Sequence, residues 1–195
     1  MRRIHPFKRG IRILGIAESF DPDVDKESTI AGVVMRKDLV VDGFSFAKAT
    51  VGGDDATERI LELALSFDRN DINAIMLSGA VISFYNMVDL DEVHEKAGVP
   101  LVCLTYRESK GLEEAIKKHF PDRYRRKVAK YRKLGRRTGV TLKTGKKVYV
   151  RALGLTEEEL KSILDSFTLQ GKYPEPVRVA GLLASACRKA FSPRT

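Results

Sequence analysis

The feature that most constrains this chain is a set of three strand-like segments with no room for a helix between them. Residues 11–17 (Ile-Arg-Ile-Leu-Gly-Ile-Ala) form an apolar run, Thr29 to Arg36 a second and Leu39 to Val51 a third, bent near Asp42-Gly43. A polar, Asp-rich stretch from Asp21 to Ser28 separates the first two. Lys37-Asp38 reads as the turn between the second and third. Parallel strands need a crossover of a dozen residues or more, so such short connections predict an antiparallel meander.

After Gly52-Gly53 the pattern changes. Asp54-Asp55 opens a helix with Ile60, Leu61, Ala64, Leu65 and Phe67 on its apolar side. Ile72 to Leu77 is a short apolar strand, residues 88–97 a helix and Val99 to Thr105 another buried strand. Apolar strands alternating with helices predict parallel pairing with both sheet faces covered. Helices follow over Leu112–His119 and Asp122–Leu134. A hairpin is expected from 140–142 and 148–151 across Thr144-Gly145. Thr156 with Glu159 forms a capping-box pattern for a helix to Phe167, and Pro176 suits the first turn of a last helix to about Ala190. Three antiparallel strands, then helix, strand, helix, strand, is the order of a ribonuclease H-like α/β domain. The 195 residues suit one such domain: a core over about 10–120, then a basic helical extension and C-terminal helices over about 121–195.

Charge is unevenly spread. Residues 1–106 carry 12 Lys/Arg and 17 Asp/Glu, whereas residues 107–151 carry 17 and 4. An acidic body beside a basic block is expected of a phosphate-binding protein with an acidic metal site; a solvated basic helix surface is the plainer alternative. The basic block includes Arg125, Arg126, Lys130 and Lys133, interleaved with Tyr124 and Tyr131, a composition suited to single strands. No apolar run reaches the roughly 20 residues of a membrane span, and the basic segment Met1–Phe7 lacks the apolar stretch of a secretion signal. Cys103 and Cys187 lie in apolar stretches and read as buried thiols of a reducing, cytoplasmic compartment. The spacing of His5, His94 and His119 excludes a zinc motif, and no P-loop, dinucleotide fingerprint or Ser/His/Asp arrangement is present.

The segments Gly15-Ile-Ala-Glu-Ser-Phe20, Ala31-Gly-Val-Val-Met-Arg36, Val51-Gly-Gly-Asp-Asp-Ala-Thr57, Leu77-Ser-Gly-Ala-Val-Ile-Ser83, Asn86-Met-Val-Asp89 and Pro176-Val-Arg-Val-Ala180 resemble an archaeal domain-of-unknown-function family, the ninety-ninth of its series, which is similar to endonuclease V. The resemblance covers nearly the whole chain and implies the ribonuclease H-like fold. Endonuclease V holds Mg²⁺ on acids of its first strand, at the start of the following helix and at the end of its fourth strand. Those places fall here on Ala17-Glu18, on Asp54-Asp55 and on Ser78, which is not acidic. Asp21 is a replacement candidate. The Pro- and Tyr-containing wedge of endonuclease V falls on Thr50-Val-Gly-Gly53, so lesion-specific nicking is not expected.

The resulting expectation is a Mg²⁺- or Mn²⁺-dependent nuclease acting on DNA. Catalysis would rest on Glu18, Asp54 and Asp55, and metal ligation on these with Asp21. Nucleic acid would meet Ser78, Tyr85, Asn86 and the basic helix. Single-stranded DNA is the favoured substrate, cleaved from the 3′ end by analogy with other exonucleases of this fold, and a homo-oligomer is admitted. The alternative is a non-catalytic nucleic-acid or small-ligand binding module. For Asp54 and Asp55 the plainer role is helix capping, for Phe84 packing over the sheet, and for Asp21 a solvated loop acid.

Overall fold

The computed structural model describes residues 10–191; the basic segment Met1–Phe7 and His5 lie outside them. The first three strands are β1 (Arg12–Ser19), β2 (Glu27–Arg36) and β3 (Val41–Thr50), joined as an antiparallel meander with no helix between them. The turn between β2 and β3 is longer than the two residues expected. It runs through Leu39, which takes a positive φ of 66°, and closes with Arg36 N–H donating to the Val40 carbonyl at 2.9 Å. The bend at Asp42 is a bulge: Val34 pairs with Gly43 and Met35 with Val41, leaving Asp42 extra. Its carboxylate accepts from Arg12 Nε at 2.5 Å and Arg69 Nη2 at 2.8 Å, which fixes this corner.

The chain then alternates: α1 (Ala56–Leu65), β4 (Ala74–Leu77), a small hairpin β5 (Val81–Ile82) and β6 (Asn86–Met87), α2 (Leu90–Ala97) and β7 (Leu101–Thr105). Strand β4 lies parallel to β1 and β7 parallel to β4, as their unbroken apolar runs require. Beyond α3 (Glu113–His119) and the basic helix α4 (Tyr124–Lys133), β8 (Thr138–Thr141) and β9 (Lys147–Leu153) do more than form the expected hairpin. Strand β9 pairs antiparallel with β7, so the sheet has seven strands in the order β3-β2-β1-β4-β7-β9-β8. The C-terminal extension is therefore not only helical; part of it is sheet. Helices α5 (Glu157–Phe167) and α6 (Glu175–Phe191) complete the chain, α5 opening with the expected Thr156–Glu159 capping box.

Two apolar layers flank the sheet. On one side Leu14, Ile16, Ile30, Ile75 and Leu77 meet Ile60, Leu63 and Val93 of α1 and α2. On the other, Ile13, Met76, Val102 and Leu104 meet Ile163, Leu164, Phe167 and Val177 of α5 and α6. Helix α6 lies directly against β1 because residue 15 is glycine; a Cβ there would come within 2.5 Å of Pro176 Cβ. Leu65, expected on the apolar side of α1, is 61% exposed, and Cys187 is only half-buried, whereas Cys103 is buried. Among the described residues no helix is long and apolar enough to cross a membrane.

Candidate functional site

Functional groups in open sheets of this kind gather at the C-terminal ends of the parallel strands. Here those ends are Glu18-Ser19 of β1, Ser78-Gly79 after β4, and Thr105 of β7 with the following Tyr106. Glu18 is the acid the strand itself delivers. Both of its carboxylate oxygens accept from the Ser83 N–H at 2.8 Å, and Oε2 also accepts from the Ser83 hydroxyl at 2.8 Å. The Ser28 hydroxyl, buried on β2, lies 2.5 Å from the Ser83 hydroxyl, so the two serines form a short relay ending on Glu18. Burial raises the Glu18 pKa, and the Ser83 hydrogen bonds only partly offset it.

Ser83 can reach Glu18 because its loop is folded against ordinary preference. Ser83, Phe84 and Tyr85 have φ values of 45°, 57° and 61°, three consecutive left-handed residues without a glycine. Each costs roughly 1–2 kcal/mol, and such strain persists only where the surroundings overdetermine it. That support is present. Gly52 N–H donates to the Ser83 carbonyl at 2.7 Å, and Lys127 Nζ donates to the Tyr85 carbonyl at 2.9 Å and to the Gly53 carbonyl at 2.8 Å. The Phe84 ring packs edge-on to His119 at 4.9 Å, and Tyr85 stacks on His119 at 5.7 Å. Lys127 falls within the basic block of residues 107–151, yet it is fully buried, its ammonium 4.6 Å from the Phe120 ring centroid. No pattern of charge in α4 separates it from its exposed neighbours.

Asp54 and Asp55 precede α1 and have different partners. Asp54 is held by Arg126, by Lys130 at 3.0 Å and by Lys127 at 3.8 Å. Burial works to raise its pKa, but these cations outweigh it and leave it lowered. Asp55 accepts from Asn86 Nδ2 at 2.6 Å and from Thr50 Oγ1 at 2.9 Å, which lower its pKa against the effect of burial. Asp55 stands at the N-cap of α1 but makes no side-chain cap bond; Asn86 Oδ1 instead accepts from Ala56 N–H at 3.0 Å. Asn86, expected to meet nucleic acid, is thus fully buried with its amide used inside the protein. A cavity of about 350 Å³ opens beside Asp54, Asp55, Asp89, Lys130 and Lys133.

The other expected residues are spread more widely. Asp21 Oδ1 accepts from Asp23 N–H at 3.1 Å and organises the loop after β1. Ser78 shares a small crevice with Glu18 and Gly79. Lys133 pairs with Asp89 at 2.5 Å, and Arg125 lies over the Tyr124 ring. Among the described residues no three His, Cys, Asp or Glu side chains form a group that could hold a metal ion.

Comparison with known proteins decides the family. The family model described as endonuclease dU matches residues 9–188. The chain belongs to the endonuclease dU family. A UPF0215 protein of Pyrobaculum calidifontis is 39% identical over 183 residues, covering 93% of this chain and all of that one. A UPF0215 protein of Thermococcus kodakarensis is 32% identical over 197 residues, covering 98% and 99%. Among solved structures, a protein from Archaeoglobus fulgidus superposes with a TM-score of 0.75 at 27% identity, covering 91% of this chain and 98% of that one. Ciona intestinalis endonuclease V, solved in complex with an inosine-containing 24mer DNA, superposes with a TM-score of 0.64 at 13% identity, covering 94% and 88%. The chain thus has the ribonuclease H-like fold of endonuclease V, as its element order predicts. At that identity the likeness speaks for the fold alone.

Proposed function

We propose that this endonuclease dU family member is a divalent-metal-dependent nuclease acting on DNA, with its reaction centre at Glu18. The observation that carries the reading is the Glu18 carboxylate itself: an acid at the ligand-binding end of β1, held by Ser83 N–H and hydroxyl on a strained loop. A carboxylate needed only for solubility has no reason to be fixed in that way.

The donors suit a hard cation, being carboxylate oxygens without sulfur or imidazole. Glu18 with Asp54 or Asp55 would hold Mg²⁺ or Mn²⁺. An ion of this kind commonly takes one or two carboxylates and completes its shell with water and substrate phosphate. When bound, the metal supplies an activated water and neutralises charge on the phosphate. The protein's own part is to fix Glu18 through Ser83 and to steer the strand with α4, where Arg125, Arg126, Lys130 and Lys133 meet phosphate. Asp21 contributes the loop that closes this edge. Tyr85 and Ser78 border the bound strand. Without a wedge at residues 50–53, single-stranded DNA cleaved from the 3′ end is the substrate we favour.

The test is cleavage of 3′- and 5′-labelled single-stranded DNA with Mg²⁺ and with Mn²⁺. Wild type should shorten the strand from its 3′ end, EDTA should stop it, and Glu18→Gln and Asp55→Asn should each remove most of the activity. Wild type that cleaves neither single-stranded nor duplex DNA with either metal rejects the reading, leaving a non-catalytic binding module.

A further inference from the structure

Beyond the acidic groups, the same edge of the sheet carries a second, basic cleft of about 370 Å³ at the ends of β4 and β7, lined by Ser78, Tyr106, Tyr131, Arg137, Arg151 and Tyr173. Three features set it apart from an accidental hollow. Arg137 and Arg151 are half-buried, and neither forms an ion pair with any described carboxylate. Arg137 donates to Thr105 Oγ1 at 2.9 Å and to the Arg107 carbonyl at 3.2 Å; Arg151 donates to the Gly135 carbonyl at 2.9 Å. Their bonds go to neutral acceptors, so each keeps donors for an anion. The two charges also oppose each other: burial first, then Arg137, lowers the Arg151 pKa. Glu108 also lines the cleft but pairs with neither arginine, so the repulsion between the two guanidinium groups is relieved when an anion binds between them.

The third feature is the Tyr106 hydroxyl, which is buried and lacks a hydrogen-bond partner of normal geometry, although Ser78 stands beside it. A buried hydroxyl left without a good partner is costly, and an occupant able to accept from it removes that cost. The Tyr106 ring packs on Tyr173 with centroids 4.2 Å apart, giving the cleft an aromatic wall. Anion recognition by guanidinium groups beside aromatic rings is what a nucleotide requires. Ser78 and Gly79 border both this cleft and the Glu18 crevice, so the two are contiguous.

We propose that the cleft is a nucleotide-phosphate site, in which Arg137 and Arg151 take the phosphate and the Tyr106 hydroxyl donates to the same nucleotide. It rests on the nuclease reading for its place beside a scissile bond, and it holds one nucleotide of the strand while Glu18 faces another.

The experiment is calorimetry on the full chain in EDTA with deoxyadenosine monophosphate, inorganic phosphate and deoxyadenosine. The monophosphate should bind at least tenfold more tightly than the nucleoside. Tyr106→Phe should weaken it at least fivefold while leaving the melting temperature unchanged or higher, an outcome a purely structural tyrosine does not give. Arg137→Gln with Arg151→Gln should abolish binding. Arg137→Lys, which keeps the charge, should retain part of it. A trinucleotide that gains affinity from a 5′-phosphate assigns the cleft to a strand end and one that does not assigns it to an internal phosphate; both keep the site. No binding of monophosphate or phosphate, or wild-type affinity in Tyr106→Phe and in the double arginine variant, overturns it. Nucleotide binding without any cleavage rejects the nuclease reading alone. Cleavage without nucleotide binding rejects the cleft alone.

Discussion

Ser83 donates both its backbone N–H and its hydroxyl to the carboxylate of Glu18, 65 residues earlier in the chain, at 2.8 Å. A loop residue thereby sets the orientation and the acidity of a strand residue. Burial raises the Glu18 pKa and Ser83 restrains the rise. Removing the hydroxyl should therefore move it further up. A carboxyl whose folded pKa lies above its unfolded value costs stability at neutral pH; the cost starts to shrink as pH falls through the folded value and is gone below the unfolded one. In Ser83→Ala, carbon-detected NMR of the metal-free protein should show Glu18 titrating at higher pH than in wild type. Cleavage should drop about tenfold or more as the acid loses one of its positioning bonds. An unmoved titration would show that the backbone N–H alone sets the site.

Lys127 is the support of that loop. Its ammonium bonds the carbonyls of Gly53 and Tyr85 and stands 3.8 Å from Asp54. Lys127→Met keeps the length and the apolar stem but leaves two carbonyls and one aspartate without this partner. The expected loss is about 2–4 kcal/mol by denaturant unfolding, far more than about 0.5 kcal/mol for an exposed neighbour such as Arg132. Equal effects at 127 and 132 would contradict the buried role.

Four of the five other cations of α4, namely Arg125, Arg126, Lys130 and Lys133, should bind strands, but not all equally freely. Arg126 and Lys130 already pair with Asp54, and Lys133 with Asp89. Arg125 instead lies over the Tyr124 ring and donates to its hydroxyl at 3.4 Å, a neutral partner that leaves its charge available. Reversing all four charges should weaken single-stranded DNA binding regardless of sequence. Each phosphate no longer neutralised should lower the log–log salt slope by about 0.7. Arg125→Glu alone should reduce affinity with no change in melting temperature, whereas Arg126→Glu should lower both. Unchanged binding in the fourfold variant would make α4 a solvated face.

How much of this was legible in the sequence varies with the signal each element carries. The meander and the parallel strands follow from short connections and unbroken apolar runs, and the capping box at Thr156 from two residue types at fixed spacing. The hairpin around Ser83 was not visible, because its left-handed turn is made of Ser, Phe and Tyr rather than the glycine or asparagine that advertises one. Lys127 is one lysine in a basic run, and only the tertiary partners Gly53, Tyr85 and Phe120 set it apart. Asp55 reads from sequence as a helix cap, yet Asn86, 30 residues beyond the capped amide, does the capping. The addition of β9 to β7 likewise depends on which edge was free, a property of the assembled sheet.

The last prediction concerns the metal. Ser78 follows β4 in the crevice shared with Glu18, the place on which the family resemblance puts the third acid of endonuclease V. On the proposed reading Glu18 shares the ion with a single aspartate, so the free protein should hold Mn²⁺ weakly. Nucleic acid should tighten binding, because its phosphate oxygens complete the shell. Electron paramagnetic resonance of free Mn²⁺ measures this directly, without and with a non-cleavable phosphorothioate strand. Ser78→Asp adds an anionic oxygen beside Glu18, so Mn²⁺ affinity in the absence of DNA should rise about tenfold or more, while Ser78→Asn, of similar size but neutral, should leave it unchanged. The stability cost of the new acid should be offset as metal is added, visible as a melting temperature that climbs with Mn²⁺ in Ser78→Asp more steeply than in wild type. If Asp and Asn at this position behave alike, Glu18 and residue 78 do not share an ion, and the metal must be sought nearer Asp54 and Asp55.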